Sequence, residues 1–352
     1  MKILIIKFRN IGDVLLASPL VTNLQHHFPN ARIDFALNSN CQEIFRANPK
    51  INELISYDRE KIKSLNLFLR LKAELSILKL IRKKKYNLVI NLTEGDRGSI
   101  YALFSKAELK IGHPVRNSFL KKINIFDFLL DETKDHAVKR DLQVLRYLKR
   151  GVIDEKIEFI IEKGVKSSIE INYIELLNTS FVIVHPVSRW MFKCWDDEKM
   201  ARIIDYLSIK KNLKVVLTSS QEEIELNRIA RIKALTETDL IDLSGRLSLS
   251  ELRFLISRAK LFFGIDSAPM HIAASTDTTI FALFGASYPS IWGPWNNSNS
   301  TFENIDGFQS NGKHFIISNM QSSIFYENGE KKSTGMRNIS YESVKEVLNS
   351  IL

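Results

Sequence analysis

Gly12-Asp13 comes shortly after the apolar run at residues 3–6, where a first strand gives way to a helix. In open α/β sheets ligands bind beyond the carboxyl ends of strands, and a glycine there lets a substrate or another backbone approach closely. A carboxylate in that place can serve as a general base. The alternative is structural: Asp13 favours the helix N-terminus, an effect of about 0.3–1 kcal/mol.

A second constellation, Asp266-Ser-Ala-Pro-Met-His271, follows the strand-like Phe262-Phe-Gly264 and precedes Ile272-Ala-Ala-Ser275. Ser267 can cap the helix and Pro269 suits its first turn, leaving backbone N–H groups aimed outward, an arrangement that suits a phosphate. Asp266 would repel a diphosphate that it touched, so its partners are sugar hydroxyls or the helix amides. His271, a turn further on, either donates to a ligand or is a hydrogen-bonded core histidine. A third segment, His185-Pro-Val-Ser-Arg-Trp-Met-Phe-Lys-Cys-Trp195, brings Ser188, Arg189 and Lys193 to the same sheet edge. A hydroxyl and two cations suit an anionic leaving group. Its aromatic residues fit packing better than stacking. In Thr218-Ser-Ser-Gln-Glu222, Glu222 could take ribose hydroxyls. The sequence has no Asp-x-Asp, no Gly-x-Gly-x-x-Gly after a strand and no Gly-Lys-Ser/Thr. That argues against a metal-held diphosphate, a dinucleotide fingerprint and a P-loop, leaving protein groups to neutralise any departing phosphate.

These residues need strands to hold them at one edge. Residues 2–8, 31–37 and 86–92 read as strands, with a turn at 10–13 and a helix over 14–25 after the first. The second half repeats the alternation at 181–184, 214–217, 240–243, 261–264 and 280–284. Helices between such runs imply right-handed crossovers and parallel sheets. The stretch 162–178 reads as the join, and residues 296–335, rich in Asn, Ser and Gly, as long loops. The expected domains are 1–165 and 176–330, with a helix in 331–352 packing back on the first.

At 352 residues two domains are the natural expectation. Hydrophobic residues at 45% and charged residues at 26% exclude collagen-like and disordered classes. The net charge of +10 is unevenly spread: residues 1–150 carry 28 Lys+Arg and 15 Asp+Glu, whereas 151–352 carry 22 and 25. The densest basic stretch, 61–85, has nine cations and one acid, with Phe68, Leu71, Leu75 and Leu78 at helical spacing. Either that stripe faces the core with a solvated basic back, or the surface meets an anionic membrane or acceptor. No zinc finger or RNA-binding aromatic signature is present, so nucleic acid is not an expected partner. Two distant cysteines, Cys41 and Cys194, supply neither a disulfide framework nor a zinc site. With an opening apolar run too short for a signal peptide and no run near the roughly 18 residues of a spanning helix, the expected location is cytoplasmic.

The segment from Ile6 to Pro19 with Asp13, the 188–195 segment with Lys193, Leu243-Ser-Gly-Arg-Leu-Ser-Leu249, and Asp266-Ser-Ala-Pro-Met-His271 followed by Leu283-Phe-Gly-Ala286 together resemble the lipopolysaccharide core heptosyltransferases of glycosyltransferase family nine, most of all the heptosyltransferase III type. The likeness runs in order over nearly the whole chain. It implies two Rossmann-like domains facing across a cleft, the GT-B fold. It also implies inverting transfer, without metal or cofactor, from ADP-L-glycero-D-manno-heptose to the lipid A-linked inner core, at the inner face of the cytoplasmic membrane. Carried over, Asp13 is the base, with Arg9 and Gly12 on the acceptor side. Lys193 binds the diphosphate. Asp266, Ser267, Ala268 and His271 form the donor turn, and Ser188 and Glu222 are further donor contacts. Ser267-Ala268-Pro269 depart from the Asp-Thr-Gly pattern of the heptosyltransferase I type. Two other readings use the same residues: transfer of another nucleotide sugar to a surface glycan, and a nucleotide-sugar binding protein without turnover.

Overall fold

The computed structural model of the chain describes residues 1–115, 118–297, 301–321, 323–327 and 329–352. The chain divides into two units, Met1–Ile160 and Ile161–Leu352. The first is built on six strands, β1 (Lys2–Lys7), β2 (Arg32–Asn38), β3 (Glu53–Tyr57), β4 (Leu88–Asn91), β5 (Leu109–Gly112) and β6 (Phe128–Leu129). They are parallel in the order β3-β2-β1-β4-β5-β6. Ile3 to Ile6 are buried on both faces because helices cover both sides of a parallel sheet, which is why the run is apolar without alternation. The chain adds strands to one side of β1 and then returns to add β4 on the other. The gap between β1 and β4 is therefore the topological switch point where ligands bind in such sheets.

The second unit repeats this plan with β7 (Phe181–His185), β8 (Lys214–Leu217), β9 (Ile241–Asp242), β10 (Leu261–Ile265), β11 (Thr279–Phe284), β12 (Gly307–Asn311) and β13 (His314–Ser318). The order β12-β13-β11-β10-β7-β8-β9 puts its switch point between β7 and β10, and only β12 runs antiparallel to its neighbour. A separate hairpin pairs β14 (Ile324–Glu327) with β15 (Glu330–Ser333). Each unit has its own core. Leu4, Ile6, Val89 and Tyr101 belong to the first and Val182, Phe263, Phe281 and Trp195 to the second. Both cysteines are buried free thiols.

Several expectations change. The helix expected over 14–25 is two, Ile11–Leu15 and Ser18–His27, because Pro19 has no N–H with which to continue the ladder from the first. Asp13 consequently sits inside a helix rather than in the turn before it. The expected join folds into the helices Val165–Asn172 and Ile174–Leu177, and the first packs on the helix Leu249–Ile256 of the second unit, with Ile169 and Leu176 buried. The expected loop region 296–335 contains β12 to β15; its residues 298–300, 322 and 328 lie outside the described ones. The terminal helix Tyr341–Ile351 was expected on the first unit. Its buried Val344, Val347 and Leu348 instead join the second core, against the helix Asp197–Asp205. In the helix Leu67–Lys84 the stripe divides: Leu78 packs on the first core, while Phe68, Leu71 and Leu75 are exposed.

Candidate active site

The first unit gathers its polar residues at the carboxyl ends of β1, β4 and β5. Asp13 is the third residue of the helix Ile11–Leu15, which begins after β1 and the loop 8–10. It is buried, and its Oδ1 accepts from Arg9 Nε at 3.4 Å. The Arg9 carbonyl is itself held by Asn38 Nδ2 at 2.9 Å and by the Cys41 thiol at 3.6 Å, which fixes the loop against β2 and its successor. Burial, with the Asp13 charge added, pushes the Cys41 thiol up to about 12, so it stays a thiol and a donor. Gly12 is buried beside Asp13. A helix of five residues has little dipole to be stabilised, so helix-end stabilisation accounts poorly for an acid in this place.

Within electrostatic reach of Asp13 lies an ion pair that sequence reasoning missed. Lys7, the last residue of β1, points its ammonium at Asp141 in the helix Ala137–Leu142, and both are almost fully buried. Burial pushes the Asp141 carboxyl up while the ammonium opposes it, and Asp13 lies close enough to add to the upward push. Around the pair stand Arg140 and Glu94, 3.8 Å apart, and His113 just after β5. Burial lowers His113 to about 4, with Glu94 opposing and Arg140, Lys7 and Arg9 assisting, so it is neutral near pH 7. The edge thus carries three cations and three carboxylates around a neutral imidazole.

In the second unit the predicted donor residues divide. Asp266 follows β10 at the switch point and is buried. Its Oδ2 accepts from Lys193 Nζ at 2.5 Å and from Ser287 Oγ at 2.5 Å. The structure therefore brings Lys193 and Asp266 together as a pair, although the sequence reading had given them separate ligands. Ser287, in the segment after β11, was not anticipated. Gly264 permits the arrangement: a Cβ there would lie 2.8 Å from the His185 carbonyl of β7, so only glycine lets the two strands at the switch point close up.

The remaining predicted residues have other surroundings. Ser267 occupies the N-cap position of the helix Ala268–Ala274 in extended conformation, but its hydroxyl caps nothing, contrary to expectation. Pro269 is in that helix's first turn, as expected, and Ala268 opens it. His271 is buried within the same helix. Ser188 Oγ accepts from the Trp190 N–H at 3.2 Å, closing the turn that leads to Lys193. Trp195 is core, its indole N–H donating to the Ile339 carbonyl at 3.1 Å. Glu222 is exposed at the head of the helix Glu223–Ala234, after the neighbouring strand β8. His185 hydrogen-bonds Thr218 at 3.0 Å, and burial lowers it to about 3, which makes it a neutral structural residue.

Solved structures share this architecture over the full chain. A glycosyl transferase of family 9 from Veillonella parvula DSM 2008 matches with a TM-score of 0.80 at 23% identity, over 99% of this chain and 96% of that one. E. coli heptosyltransferase WaaC, solved with ADP-2-deoxy-2-fluoro heptose, matches with a TM-score of 0.70 at 15% identity, over 100% of both chains. The fold is therefore the GT-B fold, made of two Rossmann-like units. The sequence pattern of glycosyltransferase family 9 (heptosyltransferase) matches residues 75–314. Lipopolysaccharide heptosyltransferase 3 of Escherichia coli (strain K12) is 33% identical over 293 residues, 81% of this chain and 82% of that protein. The chain belongs to glycosyltransferase family 9, the heptosyltransferases.

Proposed function

We propose that the protein transfers heptose from ADP-L-glycero-D-manno-heptose to a lipid A-linked inner-core oligosaccharide, with inversion and without a metal. The observation that carries this is the Lys193–Asp266–Ser287 cluster at the second unit's switch point: an ammonium suited to a diphosphate beside a carboxylate suited to sugar hydroxyls. That a family member of the same fold was solved with an ADP-heptose analogue supports the donor.

In this mechanism Asp13 takes the proton of the acceptor hydroxyl as its oxygen attacks the anomeric carbon opposite the diphosphate. The new C–O bond forms, the bond to ADP breaks, and the electron pair leaves with ADP. The Lys193 ammonium offsets the charge that develops there. Asp266 orients the heptose, with Ser267, Ala268 and His271 completing the donor turn and Ser188 and Glu222 as outer donor contacts. Arg9 holds the base and, with Gly12, faces the acceptor. The reaction runs in the cytoplasm against the inner membrane, where a lipid-linked acceptor is available. No described helix is long and apolar enough to cross a bilayer.

The test is turnover of Asp13→Asn on ADP-heptose, UDP-N-acetylglucosamine and GDP-mannose, with calorimetric titration of ADP in the absence of divalent metal. Loss of a general base costs about 10²–10⁴-fold in rate. The expected result is that loss on ADP-heptose alone, with ADP affinity within about twofold of wild type. Undiminished turnover would remove Asp13 as the base, and preference for a uridine or guanosine donor would remove the heptose assignment.

A further inference from the structure

The helix Leu67–Lys84 departs from the pattern of the other long helices. Of its 18 residues only Ile81 is fully buried, while Leu67, Phe68, Leu71 and Leu75 are 73, 75, 54 and 52% exposed. Its inner side is accounted for: Ile77, Leu78 and Ile81 join the first core with Tyr101 and Ala102. Helical spacing places Phe68, Leu71 and Leu75 along one outward stripe and Lys72, Lys79 and Lys83 along the next, all exposed. The helix has a single acid, Glu74, which is turned away to accept from the Tyr57 hydroxyl at 2.7 Å. The outward face is therefore apolar and cationic, with no carboxylate.

This helix is already formed in the free protein. Asn66 caps its first turn, accepting from the Leu69 N–H at 2.9 Å. At its end Lys84 binds Asp34 at 2.8 Å and Glu53 at 2.5 Å, and Lys85 closes it in left-handed conformation. No ordering cost need be met on docking.

We propose that this face docks on a phospholipid bilayer rich in anionic headgroups. Phe68, Leu71 and Leu75, with Leu67 beside them, enter the boundary between headgroups and acyl chains, and Lys72, Lys79 and Lys83 meet the lipid phosphates. Charge complementarity selects this occupant. A second copy of the chain would set the same lysines against one another, whereas an anionic lipid surface satisfies both stripes at once. The inference deepens the proposed function, since its purpose rests on a lipid-linked acceptor, but the binding itself needs neither donor nor turnover.

The experiment is flotation of the full-length protein with vesicles of phosphatidylethanolamine and phosphatidylglycerol, compared with phosphatidylcholine vesicles. Two triple variants accompany it, Phe68→Ser/Leu71→Ser/Leu75→Ser and Lys72→Gln/Lys79→Gln/Lys83→Gln. All six side chains are exposed, and an unchanged melting temperature verifies the fold. Wild type should partition to the anionic vesicles and be released by salt. The lysine variant should bind about 10²-fold more weakly, at about fivefold per lysine, and the serine variant should also lose binding. Equal partition of wild type and both variants, or no partition of wild type, overturns the proposal. So does a dimer in wild type that the serine variant dissolves, which would identify a second copy as the occupant. On a deacylated, water-soluble acceptor both variants should turn over like wild type. Failure of wild type itself on that acceptor counts against the transferase function and leaves the vesicle result standing.

Discussion

Replacing Asp266 with Asn separates the two tasks assigned to the donor turn. In the ligand-free protein the Asp266 carboxylate is the internal partner of the Lys193 ammonium, with Nζ 2.5 Å from Oδ2, and Ser287 donates to the same oxygen. Asparagine keeps the shape and can still accept from both, but the charge that holds the ammonium is gone. At an effective dielectric of about 20, opposite unit charges about 4 Å apart attract by about 4 kcal/mol. Lys193 is partly exposed, so screening and desolvation reduce the net value to about 1–3 kcal/mol. Some of that holds Lys193 away from an incoming diphosphate. Asp266→Asn should therefore bind ADP as tightly as wild type or up to about tenfold more tightly, about 1.4 kcal/mol. Transfer from ADP-heptose should fall by about 10–100-fold, because a carboxylate-to-hydroxyl hydrogen bond of about 1.5–3 kcal/mol is lost. Lys193→Ala should weaken ADP binding and transfer together. The assay is calorimetric titration of ADP beside initial rates on ADP-heptose, with melting temperatures as the control for folding. If Asp266→Asn weakened ADP as much as Lys193→Ala does, the pair would be a single diphosphate-binding device and the internal competition argued here would be refuted.

The other expectations concern stability. Removing one partner of the buried Lys7–Asp141 pair strands the other charge, so Asp141→Asn should cost about 3–5 kcal/mol in urea unfolding. Adding Lys7→Met should restore most of that loss, and additive losses in the double variant would show the pair is not coupled. Acid should weaken the fold through its buried histidines. Burial lowers His185 and His314 to about 3 and His113 to about 4, against an unfolded value of 6.5. Their folded pKa is depressed, so the unfolded chain binds the extra protons. Their contribution is fully present above about pH 6.5 and is lost as pH falls toward 3, at up to about 1.4 kcal/mol per pH unit for each. Urea unfolding between about pH 7 and pH 5, where carboxylates change little, measures it. A flat profile would mean that these histidines are not buried neutral.

The legible strands were those buried on both faces. Residues 3–6, 181–184 and 261–264 are uninterrupted apolar runs because helices cover both sides of a parallel sheet. Edge strands lack that constraint. Glu53–Tyr57 lies at the border of its sheet with polar residues facing water, and Gly307–Asn311 has the composition of a loop because most of it is exposed. Asp266 stood out as a polar residue directly after such a run, and Asp13 and Lys193 as charged residues in the segments that follow two others. Lys7 did not, since a lysine closing a strand has no local mark to show that it is buried, and Ser287 is an ordinary residue in an ordinary turn.

From the sequence alone came the central strands of both units and the polar residues in the segments after them, because an apolar run is a property of neighbouring residues. Tertiary structure decided the order of the strands, which sets β1 beside β4 and β7 beside β10 and so creates the two switch points. It also joined Lys7 to Asp141 across 134 positions and Lys193 to Asp266 across 73. And it left Phe68, Leu71 and Leu75 outside. A helical period reports that a helix has an apolar side, but burial depends on what packs against that side, and here no part of the described chain covers it.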